Sequence, residues 1–297
     1  MNTMAYIITG PTASGKSDFA HKLACEINGT IINCDSVQIY RGIENISASP
    51  FAERPLSDNI DNIPYRLFSI LPLTEQISVV DYLNLARKEY EDTIRNGRTP
   101  IFVGGTGYYI NALINGISPM PDIDEDIRIQ ARKMVESDIV AARAMLPDDF
   151  SATDPQRVAR AVEVFLQTGR HLSDFQSTPR VGAIIPNATK ILVCPETSVL
   201  RERIAARIPK MLSGGAMTEG QLVIDSGWDE RRAIGAAQIC AYIRGEKSYD
   251  ECITDWINKT NQYAKRQRTW FRTQYKPDII IDNVPSDEDI QKIRTFF

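Results

Sequence analysis

Residues 10–17 read Gly-Pro-Thr-Ala-Ser-Gly-Lys-Ser, a complete phosphate-binding loop. The short apolar run at residues 5–9 precedes this loop, and Phe19, Leu23 and Ile27 follow it at intervals of four. A strand, a glycine-rich turn and a helix in this order are the context in which the pattern binds phosphate, because backbone N–H groups and the helix N-terminus face the anion. The stretch therefore predicts a site for a ligand with two or more phosphates, without selecting ATP.

Two side chains of the loop have a defined chemistry. Lys16 supplies a point charge for the outer phosphate. The hydroxyl of Ser17 is placed to ligate a magnesium ion, which makes Mg²⁺ the predicted cofactor.

The composition limits the class of protein. The chain has 297 residues and a net charge of −4, so any contact with nucleic acid must be a local basic patch. Five cysteines without a Cys-x-x-Cys pair, and only two histidines, argue against zinc and for a reducing compartment. The N-terminus shows no signal-peptide pattern, and no apolar run approaches the ~20 residues needed to cross a bilayer. We expect a cytoplasmic, monomeric protein that does not span a membrane.

Alternating strand and helix patterns predict an α/β fold, a phosphate-loop protein with a doubly wound, mainly parallel sheet. The predicted strands are residues 5–9, 30–34, 66–70, 100–103, 189–194 and 278–282.

Helix signals occur between these strands. Ser78 and Asp81 form a capping-box pattern before an apolar stripe, and Asp154 followed by Pro155 marks the start of another helix. Between residues 118 and 187 strand signals fade and helical patterns dominate. We therefore predict a phosphate-loop α/β core with C-terminal helices at residues 1–117 and 188–297, and a helical insertion domain at 118–187.

Asp35 follows the second predicted strand and should lie beside the phosphate loop, because ligands bind at the C-terminal ends of strands in such sheets. Its carboxylate could ligate Mg²⁺, act as a general base, or cap the next helix. A second glycine-rich turn, residues 104–107, follows the fourth predicted strand. Two such turns at neighbouring strand ends could hold a diphosphate from two sides.

Basic residues are concentrated in three places. Arg157 and Arg160 are one turn apart on a predicted helix, and Arg203 and Arg207 share a face of another. Residues 259–276 contain six cations, no acid and four aromatic side chains, a combination typical of nucleic-acid contacts. The alternative for each is a solvated helix face, and for the aromatic residues the protein core.

Five motifs occur in order: residues 10–17, Asp-Ser-Val-Gln-Ile-Tyr-Arg-Gly at 35–42, Gly-Gly-Thr-Gly-Tyr-Tyr at 104–109, Asp-Pro-Gln-Arg-Val-Ala-Arg at 154–160, and Gln-Tyr-Ala-Lys-Arg-Gln-Arg-Thr-Trp-Phe-Arg at 262–272. Together they closely resemble the tRNA dimethylallyltransferase (isopentenyltransferase) family over nearly the whole chain. The absence of a zinc-finger tail favours the bacterial type.

The resemblance implies transfer of a dimethylallyl group from dimethylallyl diphosphate to N6 of the adenosine just 3′ of the tRNA anticodon. By position, Asp35 matches the family's general base, while Thr106 and Arg207 match the residues that contact the diphosphate. The implied diphosphate site is Gly10, Thr12, Ala13, Ser14, Gly15, Lys16 and Ser17. The expected tRNA contacts are Asp35, Ser36, Val37, Gln38, Gln156, Arg157, Val158, Ala159 and Arg160, to which the basic cluster adds Lys265 and Arg268.

The chain departs from the family pattern at two places. Gly-Ala-Ala-Gln stands at residues 235–238 where the family usually has Gly-Tyr-x-Glu, and Tyr65-Arg66 replaces the usual paired histidines. We transfer no role to these positions. Three other functions compete with the resemblance: an ATP-dependent small-molecule kinase, a prenyltransferase acting on free AMP, and a non-enzymatic nucleotide switch or RNA-binding module.

Overall fold

Seven strands form one sheet in the computed structural model, which describes residues 5–294. The order across the sheet is β3-β4-β2-β5-β1-β6-β7, and every neighbouring pair is parallel except β3 and β4. The strands are β1 (Tyr6–Thr9), β2 (Gly29–Asn33), β3 (Asn59–Ile60), β4 (Ile63–Arg66), β5 (Thr99–Gly104), β6 (Thr189–Val193) and β7 (Ile279–Ile281). The predicted α/β class with a mainly parallel sheet is confirmed.

Twelve α-helices accompany the sheet within residues 5–294. They are α1 (Lys16–Glu26), α2 (Val79–Arg95), α3 (Gly107–Asn115), α4 (Glu125–Ser137), α5 (Ile139–Arg143), α6 (Pro155–Thr168), α7 (Leu172–Gln176), α8 (Thr197–Met211), α9 (Met217–Ser226), α10 (Ala236–Ile243), α11 (Tyr249–Gln274) and α12 (Asp287–Arg294). A kinked segment, Leu212–Ala216, in which Gly215 has a non-helical φ of +121°, joins α8 to α9, and a 3₁₀ turn, Glu230–Arg232, precedes α10.

The central strands are buried on both faces, which explains why their sequences are continuously apolar. In β1, Ile7 and Ile8 point to opposite faces, and neither is exposed to solvent. On one face, Ile8 belongs to the same apolar cluster as Phe19 and Leu23 of α1. This packing fixes the position where β1 ends and α1 begins.

Two predicted helix starts are confirmed. The Ser78 side chain accepts the N–H of Asp81, and the Asp81 carboxylate accepts the N–H of Ser78, which completes the capping box of α2. The Asp154 side chain accepts the N–H of Arg157 at 3.1 Å, with Pro155 in the first turn of α6. Each cap satisfies backbone donors that have no partner inside the helix.

The strand predicted at residues 66–70 is wrong in position. The strand is β4, Ile63–Arg66, and the chain leaves it at Leu67, whose φ of +64° is incompatible with a strand. The backbone N–H of Ile70 donates to the carbonyl oxygen of Ile39, a residue that lies outside the sheet. The apolar side chains that suggested a strand therefore belong to the loop after it.

The chain divides into two compact units, one made of Met1–Ile114 and Ile184–Phe297 and the other of Asn115–Ala183. The second unit holds α4 to α7 around its own apolar core. Helices α4 and α5 are separated at Asp138, whose backbone is extended and whose side chain caps α5.

None of the helices in residues 5–294 combines the length and the apolar character needed to cross a membrane.

Candidate active site

The phosphate loop lies between β1 and α1. Gly15 precedes α1 with a φ of +93°, a conformation that residues with a side chain rarely adopt. The hydroxyl of Ser14 is fully buried and has no hydrogen-bond partner among the described residues. Because an unpaired buried hydroxyl is costly, a ligand oxygen that accepts its proton would stabilise the loop.

The second glycine-rich turn, residues 104–107, lies directly beside the phosphate loop because β1 and β5 are parallel neighbours. A Cβ atom on Gly105 would lie 3.1 Å from the Gly10 carbonyl oxygen and 2.5 Å from the side-chain amide nitrogen of Gln267. A side chain at residue 105 would therefore require the side chain of Gln267 to move. The two turns thus form one continuous backbone surface.

Asp35 lies at the end of β2, where its carboxylate faces the same pocket. Its Oδ1 accepts the N–H of Val37 at 2.9 Å, and no residue within 5–294 donates a hydrogen bond to Oδ2. Residues 36–39 form a turn rather than a helix, so the alternative that Asp35 caps a helix is wrong. One carboxylate oxygen organises the turn and the other remains for a ligand.

Thr106 links the second glycine-rich turn to the segment after Asp35. Its Oγ1 accepts the N–H of Ser36 at 3.0 Å and lies 3.3 Å from the Ser36 hydroxyl. The side chain of Gln38 donates to the carbonyl oxygens of Ser47 and Ala48, at 3.1 and 2.9 Å. These bonds fix the wall of the pocket that follows β2.

Lys16 approaches the loop from within, and its Nζ donates to the carbonyl oxygen of Pro11 at 3.2 Å. Burial lowers the pKa of Lys16 to about 8; the charge of Asp35 raises it, and the charge of Arg207 lowers it. An anion bound at the loop would raise this pKa again, so binding and protonation are coupled.

Two arginines of α8 hold the outer side of the loop. Arg203 donates from Nε to the carbonyl oxygen of Ala13 at 2.8 Å, and Arg207 donates to the hydroxyl of Thr12 at 2.9 Å. The Nε of Arg207 is buried without a partner among the described residues. Burial, together with the charge of Arg203, lowers the pKa of Arg207 to about 10. An anion would stabilise both guanidinium groups.

The phosphate loop, residues 35–38 and the two arginines of α8 line one pocket of about 690 Å³, whereas Thr106 is not part of its lining. The cations of its lining are Lys16, Arg203, Arg207, Lys210 and Arg232. The apolar part of its lining includes Ile46, Met211, Ala233, Ile234 and Trp256. Such a lining suits an amphiphilic ligand that carries a polyanion and a small hydrocarbon group.

The structure brings most of the predicted site together. Residues 12–17, residues 35–38 and Arg207 line the same pocket, and Gly10 lies outside its lining, against the second turn. Ser17 is exposed and lines the pocket.

Two of the residues expected to contact tRNA on α6 have buried side chains. Val158 and Ala159 are buried in the apolar core of the helical unit, so their side chains are not available to a ligand. Gln156 and Arg157 are exposed, and Arg160 forms an ion pair with Glu163 at 3.1 Å.

The basic cluster lies on α11 and the segment after it. None of its six cations has a carboxylate of the described residues within 4 Å, and Lys259, Lys265, Arg266, Arg272 and Lys276 are exposed. Arg268 differs, because it is partly buried and donates to the carbonyl oxygen of Pro195. The exposed members form a patch of unpaired positive charge, which we call the α11 cationic patch.

Gln267 is the residue of the site that sequence reasoning missed. It is 7% exposed, and its side chain bonds to both glycine-rich turns. Its backbone partners are 162 and 255 residues away in the chain, so no local pattern signals the contact.

The residues present fit a magnesium ion only in company with a ligand. The described residues contain no cluster of three His, Cys, Asp or Glu side chains arranged for a metal. Mg²⁺ commonly keeps several waters and binds through one or two protein oxygens plus substrate phosphates. The exposed hydroxyl of Ser17 beside the phosphate loop matches that manner of binding.

Comparison with known proteins gives the family. The family model described as IPP transferase matches residues 38–274, and the one described as isopentenyl transferase matches residues 3–59. This chain belongs to the IPP transferase family. It is 36% identical to the tRNA dimethylallyltransferase of Rickettsia rickettsii, over 98% of this chain and 82% of that one. Identity to the tRNA dimethylallyltransferase of Rhizobium etli is 38%, over 91% and 94% of the two chains.

A solved structure supports the same assignment. The tRNA isopentenylpyrophosphate transferase of Bacillus halodurans is 30% identical, covers 99% of this chain and 95% of its own, and superposes with a TM-score of 0.70. The phosphate-loop fold and the resemblance seen in the motifs are confirmed, and the family is one of isopentenyl transferases.

Affinity for the diphosphate group should fall as the pH rises through the pKa of Lys16, about 8. A bound anion favours the charged form, so the dissociation constant for inorganic diphosphate should rise about tenfold from pH 7 to pH 9 through this group. Isothermal titration calorimetry at steps across this range measures the effect.

Lys16→Arg is the matched control, because the guanidinium of arginine stays charged across this pH range. Any pH dependence of the dissociation constant that remains in this variant comes from titration of the ligand. The same inflection in Lys16→Arg, or none in the wild type, would contradict the assignment of this pH dependence to Lys16.

Proposed function

We propose that the protein transfers a dimethylallyl group from dimethylallyl diphosphate to N6 of the adenosine 3′-adjacent to the tRNA anticodon, releasing diphosphate. One observation carries the proposal: a phosphate loop, a carboxylate with a free oxygen and an apolar lining share a single pocket. A kinase acting on a small molecule would leave the α11 cationic patch unexplained.

The donor's diphosphate occupies the phosphate loop, and its five-carbon chain packs on the apolar lining around Met211 and Trp256. The Ser14 hydroxyl gains an acceptor there, and the Nε of Arg207 gains a partner. Both groups are buried and unpaired without a ligand, so each favours an anion with oxygen atoms at these positions.

Cleavage of the donor's carbon–oxygen bond leaves negative charge on the departing diphosphate. Lys16, Arg203 and Arg207 are already oriented by hydrogen bonds to the loop, so they neutralise this charge without reorganising. Ser17 would hold a Mg²⁺ ion bound with the diphosphate, and such an ion supplies further charge stabilisation to the leaving group.

Asp35 acts as the general base. The exocyclic amine of adenine is a weak nucleophile, and it must lose a proton as its bond to the dimethylallyl carbon forms. Oδ2 of Asp35 accepts that proton while Oδ1 stays bonded to the N–H of Val37. The target adenine must leave its stack in the tRNA to reach the pocket, as in other enzymes that modify nucleobases.

The tRNA is held by positive charge and by the turn after Asp35. The α11 cationic patch contacts phosphates, while residues 36–38 lie next to the base that enters the pocket. Gln156 and Arg157, exposed at the start of α6, are further contacts to the anticodon stem-loop.

We propose that the protein acts as a monomer. Five free thiols and a tRNA substrate fit the cytoplasm as the site of action.

Asp35→Asn should slow prenyl transfer at least ~10²-fold, the usual scale for loss of a general base. The amide keeps an oxygen for the N–H of Val37 but has no site to accept the proton. Single-turnover transfer of labelled dimethylallyl groups to tRNA, followed by digestion to nucleosides, measures both rate and position.

Donor affinity of Asp35→Asn at pH 7 serves as the control, and we expect it to change little. A single-turnover rate near that of the wild type would show that Asp35 is not the base.

Replacing Lys265 and Arg272 with alanine should weaken tRNA binding and flatten its salt dependence. Each lost phosphate contact reduces the log–log slope by roughly 0.7–0.9, and donor affinity should not change. Filter binding at several salt concentrations measures the slope.

Arg95→Ala is the control, because Arg95 is equally exposed but already paired with Asp92 at 2.7 Å. If the double variant and Arg95→Ala both show the wild-type salt dependence of tRNA binding, the α11 cationic patch is solvated and makes no phosphate contact.

A further inference from the structure

Gln267 joins two turns that are far apart in the chain. Its Oε1 accepts the N–H of Thr12 at 2.8 Å, and its Nε2 donates to the carbonyl oxygen of Gly105 at 2.9 Å. The side chain is buried and reaches the pocket from the middle of α11. One amide therefore connects the phosphate loop, the second glycine-rich turn and the longest helix of the described residues.

A primary amide suits this position better than other side chains of similar size. The contact requires an acceptor for one backbone donor and a donor for one backbone acceptor, and an amide offers both. A carboxylate would face the Gly105 carbonyl with a second acceptor, and leucine would leave both backbone groups buried and unpaired. Either change carries the penalty of an unsatisfied buried polar group.

The bond determines how Thr12 faces a ligand. The N–H of Thr12 is engaged by Gln267, and its hydroxyl oxygen accepts from Arg207 at 2.9 Å. The hydroxyl hydrogen therefore remains to donate to a diphosphate oxygen. Without Gln267, the N–H of Thr12 would lose its partner, and the orientation of the hydroxyl would no longer be fixed from this side.

The bond also acts on Gly105. Its carbonyl oxygen is the negative end of a dipole beside a site built for an anion, and the amide of Gln267 donates to it. Gly105 also lies against Gly10, so the separation of the two turns depends on the side chain that spans them.

We propose that Gln267 is a positioning residue that sets the geometry of the diphosphate site by fixing the phosphate loop to the second glycine-rich turn. This inference rests on the proposed function of the pocket as the donor site. It gives α11 two roles, because the helix that carries the α11 cationic patch also orders the loop that holds the donor.

Three substitutions separate the two hydrogen bonds. Gln267→Leu removes both bonds, Gln267→Asn is too short to span both turns, and Gln267→Glu keeps the bond from Thr12 but loses the bond to Gly105. For each, we expect KM for dimethylallyl diphosphate to rise about tenfold or more at pH 8, the scale set by one unsatisfied buried group, with KM for tRNA unchanged.

The pH profile gives a signature that a purely structural role would not produce. In Gln267→Glu, the introduced carboxyl group can donate to the carbonyl oxygen of Gly105 only when it is protonated. The kcat/KM of this variant relative to wild type should therefore recover as the pH falls towards 5.5. Gln267→Leu should show no such recovery, since it has no group to protonate.

Cys252→Ala is the control for lost stability, because Cys252 is fully buried on the same helix but does not line the pocket. Urea unfolding measures the free energy of unfolding of each variant, so that a loss of stability can be compared directly between Cys252→Ala and the Gln267 variants. If Gln267→Glu does not fold, the KM for the donor in Gln267→Leu and Gln267→Asn still tests the proposal; if Gln267→Leu does not fold, Gln267→Asn replaces it as the variant without a titrating group.

A wild-type KM for the donor in Gln267→Leu, or no relative recovery of Gln267→Glu at low pH, would overturn the inference. Failure of the proposed function is a distinct result, in which the wild-type protein itself transfers no label to tRNA. In that case titration of inorganic diphosphate still tests positioning, with weaker binding to Gln267→Leu expected and equal binding contradicting it.

Discussion

The parallel pairing of β1 with β5 is the constraint on which the site depends. It places the ends of both strands side by side, so the two glycine-rich turns meet in backbone contact. Pairing of β5 with β2 brings Asp35 to the same edge of the sheet. Because all three strands run in one direction, segments distant in the chain deliver backbone donors, a carboxylate and cations to one pocket.

Charge is distributed unevenly over this scaffold. The chain carries a net charge of −4, yet five cations line the pocket and five more are exposed on the α11 cationic patch. Within the pocket, burial lowers the pKa values of Lys16 and Arg207. Keeping both groups charged therefore costs free energy, which a bound anion offsets. This arrangement attracts polyanions locally, although the protein as a whole is acidic.

Local features of the fold were predictable from the sequence where the physical cause is also local. The phosphate loop, the capping box at Ser78 and the cap at Asp154 each depend on residues within a few positions of one another. The sequence predicted β4 a few residues too late in the chain. Its own residues include Pro64, which weakens a strand signal, whereas the loop after it is richer in apolar residues.

The site was less predictable where distant residues meet. Gln267 has no signal in its own segment, because both of its partners come from other parts of the chain. Val158 and Ala159 matched a tRNA-contacting motif, but the apolar core of the helical unit buries them. In the sequence, Arg268 is one of six cations in a segment without acidic residues. Only the structure shows that its side chain donates to the carbonyl oxygen of Pro195.

The central claim is that the phosphate loop holds a prenyl diphosphate rather than ATP. A competition experiment, in which ATP and inorganic diphosphate displace labelled dimethylallyl diphosphate from the purified protein, tests it most directly. The apolar lining suits a five-carbon chain and not a hydroxylated ribose, so inorganic diphosphate should displace the label far better than ATP. Stronger displacement by ATP, accompanied by ATP hydrolysis and no label in tRNA, would contradict the account.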